Sequence, residues 1–85
     1  MSERKLAVAL KYDAPSAPRV TAIGRGETAK RIIDAAEHNG VPLSDNPALA
    51  EALSRVPVDK EIPEGLYRAV AEVLTYILRT SGRLR

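Results

Sequence analysis

Eighty-five residues suffice for one domain, and at that size folding hides only roughly 60–65% of the surface that the unfolded chain exposes, so the core must be thin. The apolar residues are mostly Ala, Leu, Val and Ile; Tyr12, Tyr67 and Tyr76 are the only aromatics, and with no cysteine the chain has neither a disulfide framework nor a thiolate metal site. The formal charge of +2 is unevenly spread: residues 1–26 carry five basic and two acidic groups, 27–66 four and eight, and 67–85 four and one.

Basic ends around an acidic middle suit an assembly surface as well as they suit RNA, and their commonest meaning is a solvated exterior; a nucleic-acid interface would need Arg19, Arg25, Arg68, Arg79, Arg83 and Arg85 on one face. No aromatic stacking platform accompanies them. A small basic nucleic-acid-binding domain is therefore the alternative reading, and no nucleic-acid partner is expected. No run approaches the roughly 20 apolar residues of a membrane span, and Leu6 to Leu10 is too short for a signal peptide's apolar stretch.

Leu6, Val8, Leu10 and Tyr12 alternate with Ala7, Ala9 and Lys11, which predicts a strand whose alanine face is closely covered by a helix. Pro15 and Pro18 make residues 14–18 a connection, and Arg19 to Ile23 reads as a second strand. Gly24-Arg25-Gly26 turns the chain into a helix over 27–38, with Ala29, Ile32, Ile33, Ala35 and Ala36 on its buried side and Asn39-Gly40 as its stop. Val41-Pro42-Leu43 is then expected as a third strand, parallel to the second through a right-handed crossover.

Asn46 as N-cap and Pro47 at the first helical position predict a short helix carrying Leu49 and Leu53. An acidic linker follows around Val58 to Glu61. From Pro63 a last helix presents Leu66, Val70, Val73, Leu74, Ile77 and Leu78 as one stripe; Ser81-Gly82 ends it, and the basic tail 81–85 is expected to fray. The expected fold class is α/β: a small mixed β-sheet of about three strands with one βαβ unit, surrounded by three helices. Residues 1–5 form an N-terminal tail and 6–80 the domain.

Little in this chain resembles an active site. Gly24-x-Gly26-x-x-Ala29 mimics a dinucleotide fingerprint, with Asp45 at the distance of a ribose contact, but Glu27 puts negative charge where a pyrophosphate would sit, and one βαβ unit cannot form a two-sided crevice. His38, the one histidine, suits the helix C-terminus. Ser2, Ser16, Ser44, Ser54 and Ser81 lie in no nucleophile context, Asp34 and Glu37 belong to a solvated helix face, and the acidic residues show no calcium-loop spacing. No catalysis, cofactor or metal is expected.

Five segments in order, AVALKYD, AP-RV-AIGRG, AAEHNGVPL, DNPALAEAL and EIPEGLYRAVAEVLTYILR, resemble the FlhB/YscU-type family of type III export-apparatus proteins over residues 7–79. In that family a cytoplasmic switch domain follows a membrane domain and cuts itself within an Asn-Pro-Thr-His loop, the Asn side chain cyclising onto its own carbonyl. Ser2, Glu3, Arg4 and Lys5 stand at the matching positions, so the resemblance implies a domain without self-cleavage. Asn46-Pro47 is no substitute, because it opens a helix and is followed by Ala-Leu.

The expectation is a stand-alone counterpart of the post-cleavage fragment, lacking the membrane domain and the family's first strand. It would be cytoplasmic, held at the inner face of the membrane by the export apparatus, with flagellar export substrates and export-gate proteins as partners. Asp-Asn-Pro and Glu-Ile-Pro resemble flagellar rather than virulence sequences. The family's shallow docking patch maps onto Ala17, Pro18, Ala71 and Leu74. Loss of the first strand implies an unpaired edge on the Leu6–Tyr12 strand, open to a partner strand or blunted by Lys5 and Lys11.

Overall fold

The computed structural model describes residues 5–13 and 15–80, the side chains of Leu78 and Thr80 excepted. Two strands, β1 (Leu6–Lys11) and β2 (Arg19–Arg25), pair antiparallel and are followed by helix α1 (Glu27–His38), helix α2 (Pro47–Leu53), a 3₁₀ turn (Glu64–Leu66) and helix α3 (Tyr67–Thr80). The class is α/β with three helices, as the sequence indicated, and the helices lie on both faces of the sheet. The serines, basic residues and tail ends at 1–4 and 81–85, and Ala14, lie outside the described residues.

Cross-strand pairing explains the two faces. Ala7 lies opposite Gly24 and Ala9 opposite Ala22, giving one face of small residues, and that face lies under α1. A Cβ built on Gly24 would stand 2.5 Å from Thr28 Cγ2 and 2.9 Å from Ile32 Cδ1, so α1 approaches the sheet too closely for any side chain there. The other face carries Val8 opposite Ile23 and Leu10 opposite Val20, and it meets the main core.

That core is a cluster of Val20, Leu53, Val56, Ile62 and Val70, with Val8, Leu10, Ile23, Leu49, Leu66 and Leu74 packed around it. Val20 reaches it through an irregularity: the register runs Ala9–Ala22, then Leu10–Val20, so Thr21 is an extra residue in β2. The bulge turns Val20 to the face that simple alternation would deny it, and the Thr21 hydroxyl donates to the Ala9 carbonyl at 3.3 Å.

Three expectations are corrected. Residues 41–43 form no strand, and the sheet of the described residues is two-stranded and antiparallel rather than mixed, so no βαβ unit forms. The reason is local: Gly40, at φ 68°, closes α1 in a Schellman turn, with the Gly40 amide donating to Glu37 and the Val41 amide to Ala36 at 2.8 Å. That leaves the Val41 amide committed to the helix end. Pro63 is extended and leads into the 3₁₀ turn, so α3 begins at Tyr67 instead.

The supposed linker at 58–61 is the third correction, because it borders β2. The Asp59 amide donates to the Val20 carbonyl at 2.6 Å, the Val20 amide to Lys60 at 3.0 Å and the Ile62 amide to Pro18 at 2.9 Å, with an Arg19–Glu61 bridge. Asp59 makes the turn at φ 73°. As expected from the sequence, Asn46 caps α2, its side-chain oxygen accepting from the Leu49 amide at 3.1 Å, with Pro47 at the first helical position.

Two stability outcomes follow. Gly24→Ala should lose about 1–3 kcal/mol, because Thr28 and Ile32 must move to admit a methyl group. Asp59→Val should lose at least about 1 kcal/mol, while Asp59→Gly is tolerated, since a β-branched residue is strained at positive φ. Urea denaturation of the variants, followed by circular dichroism, checks both.

Candidate binding surface

The residues expected to form a docking patch fall into two groups. Ala17 and Pro18 are half-buried in the connection before β2, where the Pro18 carbonyl is held by the Ile62 amide. Leu74 is half-buried on α3 and packs against the cluster containing Ile62. Pro18 is thus tied to the buried residue Ile62 through its main chain, and Leu74 packs against the cluster to which Ile62 belongs.

Ala71 differs: it is exposed and lies with Arg68, Glu72, Thr75, Tyr76 and Arg79 along a shallow concavity on the outer side of α3. Leu74 serves the core first and offers a surface only with its remaining exposure. The expected contacts therefore divide into a rim of half-buried residues, Ala17, Pro18 and Leu74, and Ala71, which is exposed outside it on α3.

Sequence reading missed the segment that supports this rim. Val56 and Ile62, at 7% and 2% exposure, belong to the core, yet they sit in a stretch with no periodicity. The signal available was the pair of apolar residues bracketing a Pro-Val-Asp-Lys-Glu turn. Exposed apolar side chains elsewhere include Val41 and Leu43 after α1, Val58 in the turn, and Tyr12 and Tyr67.

Among the described residues, charged groups offer no comparable constellation. Arg25 binds α2, its Nη2 donating to Ser54 Oγ at 3.3 Å and standing 3.9 Å from Glu51, with the Arg25 and Glu51 side chains both more than half exposed. Arg19 stands at the opposite end of β2, and Arg68 and Arg79 lie on α3. His38, Asp34 and Glu37 are exposed on α1. Gly26, at φ 59° and ψ −123°, starts α1 with a backbone that favours glycine, so the two glycines are accounted for by turn and packing. Among the described residues no helix is long and apolar enough to cross a membrane.

A family model described as the FlhB HrpN YscU SpaS Family matches residues 4–77. The chain belongs to that family. The uncharacterized protein YlqH of Bacillus subtilis (strain 168) is 44% identical over 75 residues, covering 86% of this chain and 81% of that protein. The flagellar biosynthetic protein FlhB of Aquifex aeolicus (strain VF5) is 42% identical over 76 residues, 86% of this chain but 22% of its own length. FlhB of Escherichia coli (strain K12) is 47% identical over 73 residues, 82% of this chain and 19% of its own. The chain thus spans about a fifth of the FlhB proteins it matches.

Solved structures locate that fifth. The cytoplasmic domain of FlhB from Shewanella putrefaciens superposes with a TM-score of 0.83 at 38% identity, covering 92% of this chain and 64% of that one. The PscU C-terminal domain gives 0.79 at 35% identity, covering 84% and 94%. The fold is that of the C-terminal cytoplasmic domain of the family.

The rim can be tested apart from any partner. Ile62→Ala should cost about 2–4 kcal/mol through the cavity it leaves, whereas Ala71→Asp, on an exposed helix position, should stay within about 0.5 kcal/mol of the wild type. Chemical denaturation midpoints decide this, and a neutral Ala71→Asp makes that variant a clean probe of binding.

Proposed function

We propose that this chain is a non-enzymatic component of flagellar type III protein export, corresponding to the switched C-terminal domain of FlhB and binding export substrates or export-gate proteins. The observation that carries the reading is the family match over residues 4–77, supported by superposition on the FlhB cytoplasmic domain. It acts in the cytoplasm, at the inner face of the membrane where the export apparatus sits.

Docking falls on the rim of Ala17, Pro18 and Leu74, with Ala71 extending it along α3. Ala17 and Pro18 are the better contacts, because the main chain there is fixed by Ile62 while their side chains keep part of their surface, so binding orders little that is not already ordered. Self-cleavage is absent. An Asn side-chain amide is the nucleophile of the family's cyclisation, and Ser2 lacks one.

Two measurements test the proposal. Purified wild-type chain, incubated for days and examined by intact mass spectrometry, should show a single undivided species; cleavage near Ser2–Lys5 would refute the absence of that chemistry. In pull-downs from a flagellated host, wild type should retain export-gate proteins or filament-type substrates, and the Ala17→Asp, Pro18→Asp variant should lose them by tenfold or more, on the order of 1.4 kcal/mol. Recovery by both chains of nucleic-acid-associated proteins alone, released by nuclease, would overturn the export assignment.

A further inference from the structure

β1 has one paired edge and one open edge, and the open one is ordered by alternation. The Gly26 amide donates to the Lys5 carbonyl at 2.9 Å, so Lys5, Ala7 and Ala9 turn their main-chain groups toward β2, and Leu6 and Val8 turn theirs outward. Leu10 follows the same rule beyond the bulge: its partner Val20 directs its own N–H and C=O to Lys60 and Asp59, away from β1, so that pair exchanges no bonds. The N–H and C=O of Leu6, Val8 and Leu10 therefore line an edge with no backbone partner among the described residues.

The sequence along that edge reads the same in both directions: Lys5-Leu6-Ala7-Val8-Ala9-Leu10-Lys11 is a palindrome about Val8. An antiparallel partner of identical sequence, related by a two-fold axis through Val8, would place Val8 on Val8 and Leu6 on Leu10. These are the residues whose main-chain groups point outward, so every one of those groups finds its complement. Leu6, Val8 and Leu10 of both copies would also share one face of the widened sheet, and the alanines the other. We infer that β1 is a self-pairing edge, through which two copies of this chain form a continuous four-stranded antiparallel sheet.

The layers above the sheet agree with a copy as the occupant. Two strands span about 9–10 Å, which is also the usual spacing of packed helices, so each α1 can cover its own strand pair and lie beside the other. Gly24, opposite Ala7, lies under Thr28 and Ile32, so an axis through Val8 at the seam passes alongside α1 level with the middle of the helix and runs the two helices antiparallel. The side of α1 that forms a concavity with Lys5 carries Lys30, Ile33, Asp34 and Glu37. An antiparallel mate brings Lys30 of one copy toward Asp34 of the other and Ile33 toward Ile33, which is complementary in charge and in apolar character.

One feature opposes the pairing and sets its strength. The same register puts Lys5 opposite Lys11 of the second copy at both ends, and like charges directly opposite are destabilising. Asp13, 3.7 Å from Lys11, stands on the diagonal to the incoming Lys5 and offsets part of that repulsion. The dimer is accordingly weak in low salt and tightens as salt screens the lysines.

Sedimentation equilibrium from about 1 µM to about 1 mM decides the matter. The wild-type chain should dimerise reversibly and more tightly at higher salt. Lys11→Glu, which turns both Lys–Lys contacts into Glu–Lys contacts, should tighten the dimer by about tenfold, and Lys5→Glu with Lys11→Glu, which restores like charges and sets Asp13 against the incoming carboxylate, should weaken it to the wild-type value or below. Val8→Pro removes an outward N–H that β2 does not use and should leave a monomer with unchanged far-ultraviolet circular dichroism. A monomer under all conditions, a monomer that instead takes up an added extended peptide, or a dimer indifferent to Lys11→Glu would each overturn the inference. The charge-reversal pair keeps the test decisive even where the proline variant misfolds.

Discussion

Everything in this fold depends on the way Val20 is held. Its side chain is fully buried, its amide and carbonyl are both committed to the 59–60 turn, and the bulge at Thr21 is what aims it inward. Without the extra residue, the alternation of β2 would send Val20 toward α1 and leave the main core without its centre. One insertion thus lets a short strand serve two faces: Ala22 and Gly24 for the close approach of α1, Val20 and Ile23 for the larger side chains of α2 and α3. A protein with no Phe or Trp has few other ways to fill two layers, and small residues at close range on one face are how it manages with so thin a core.

The local chemistry of helix ends was legible from sequence because each end depends on a few neighbouring residues. Asn46-Pro47 and Asn39-Gly40 fix α2 and the end of α1 with partners within four or five positions. The long-range part was not legible. Val41 looks like the start of a strand by its neighbours, but its amide is taken by Ala36, and strand character depends on a partner that a one-dimensional reading cannot supply. Residues 56–62 show the reverse: without periodicity they read as a linker, yet Val56 and Ile62 are core residues because the turn at Asp59 folds them back on β2. A bulge is equally hidden, since Val20 and Ile23 share a face only after Thr21 is looped out.

The candidate surface divides along the same line. Periodicity alone placed Leu74 in the apolar stripe of α3, and the structure keeps it against the core. Ala71 falls just outside that stripe, and an exposed alanine leaves no trace in hydrophobic patterning. Ala17 and Pro18 drew notice through family resemblance, while the physical reason they can serve as a fixed contact, the hydrogen bond from Ile62, required a residue forty-odd positions away in the chain to be seen beside them.

The two faces of function suggested for this chain make different demands on the same sheet. A docking rim near Pro18 needs β2 to be immobile, and the 59–62 segment provides that on the edge away from β1. An edge that pairs with its own copy needs β1 to stay open and flat, and β1 carries its flanking lysines where they moderate association without entering the hydrogen-bonded stretch. Because the rim and the open edge lie on opposite sides of a two-stranded sheet, occupancy of one leaves the main-chain groups of the other free. The two surfaces are joined by one ladder: Lys5, Ala7 and Ala9 turn their main-chain groups toward β2, whereas Leu6, Val8 and Leu10 exchange no bonds with their partners, so stiffening of β2 at the rim reaches the open edge only through the alternate, hydrogen-bonded pairs.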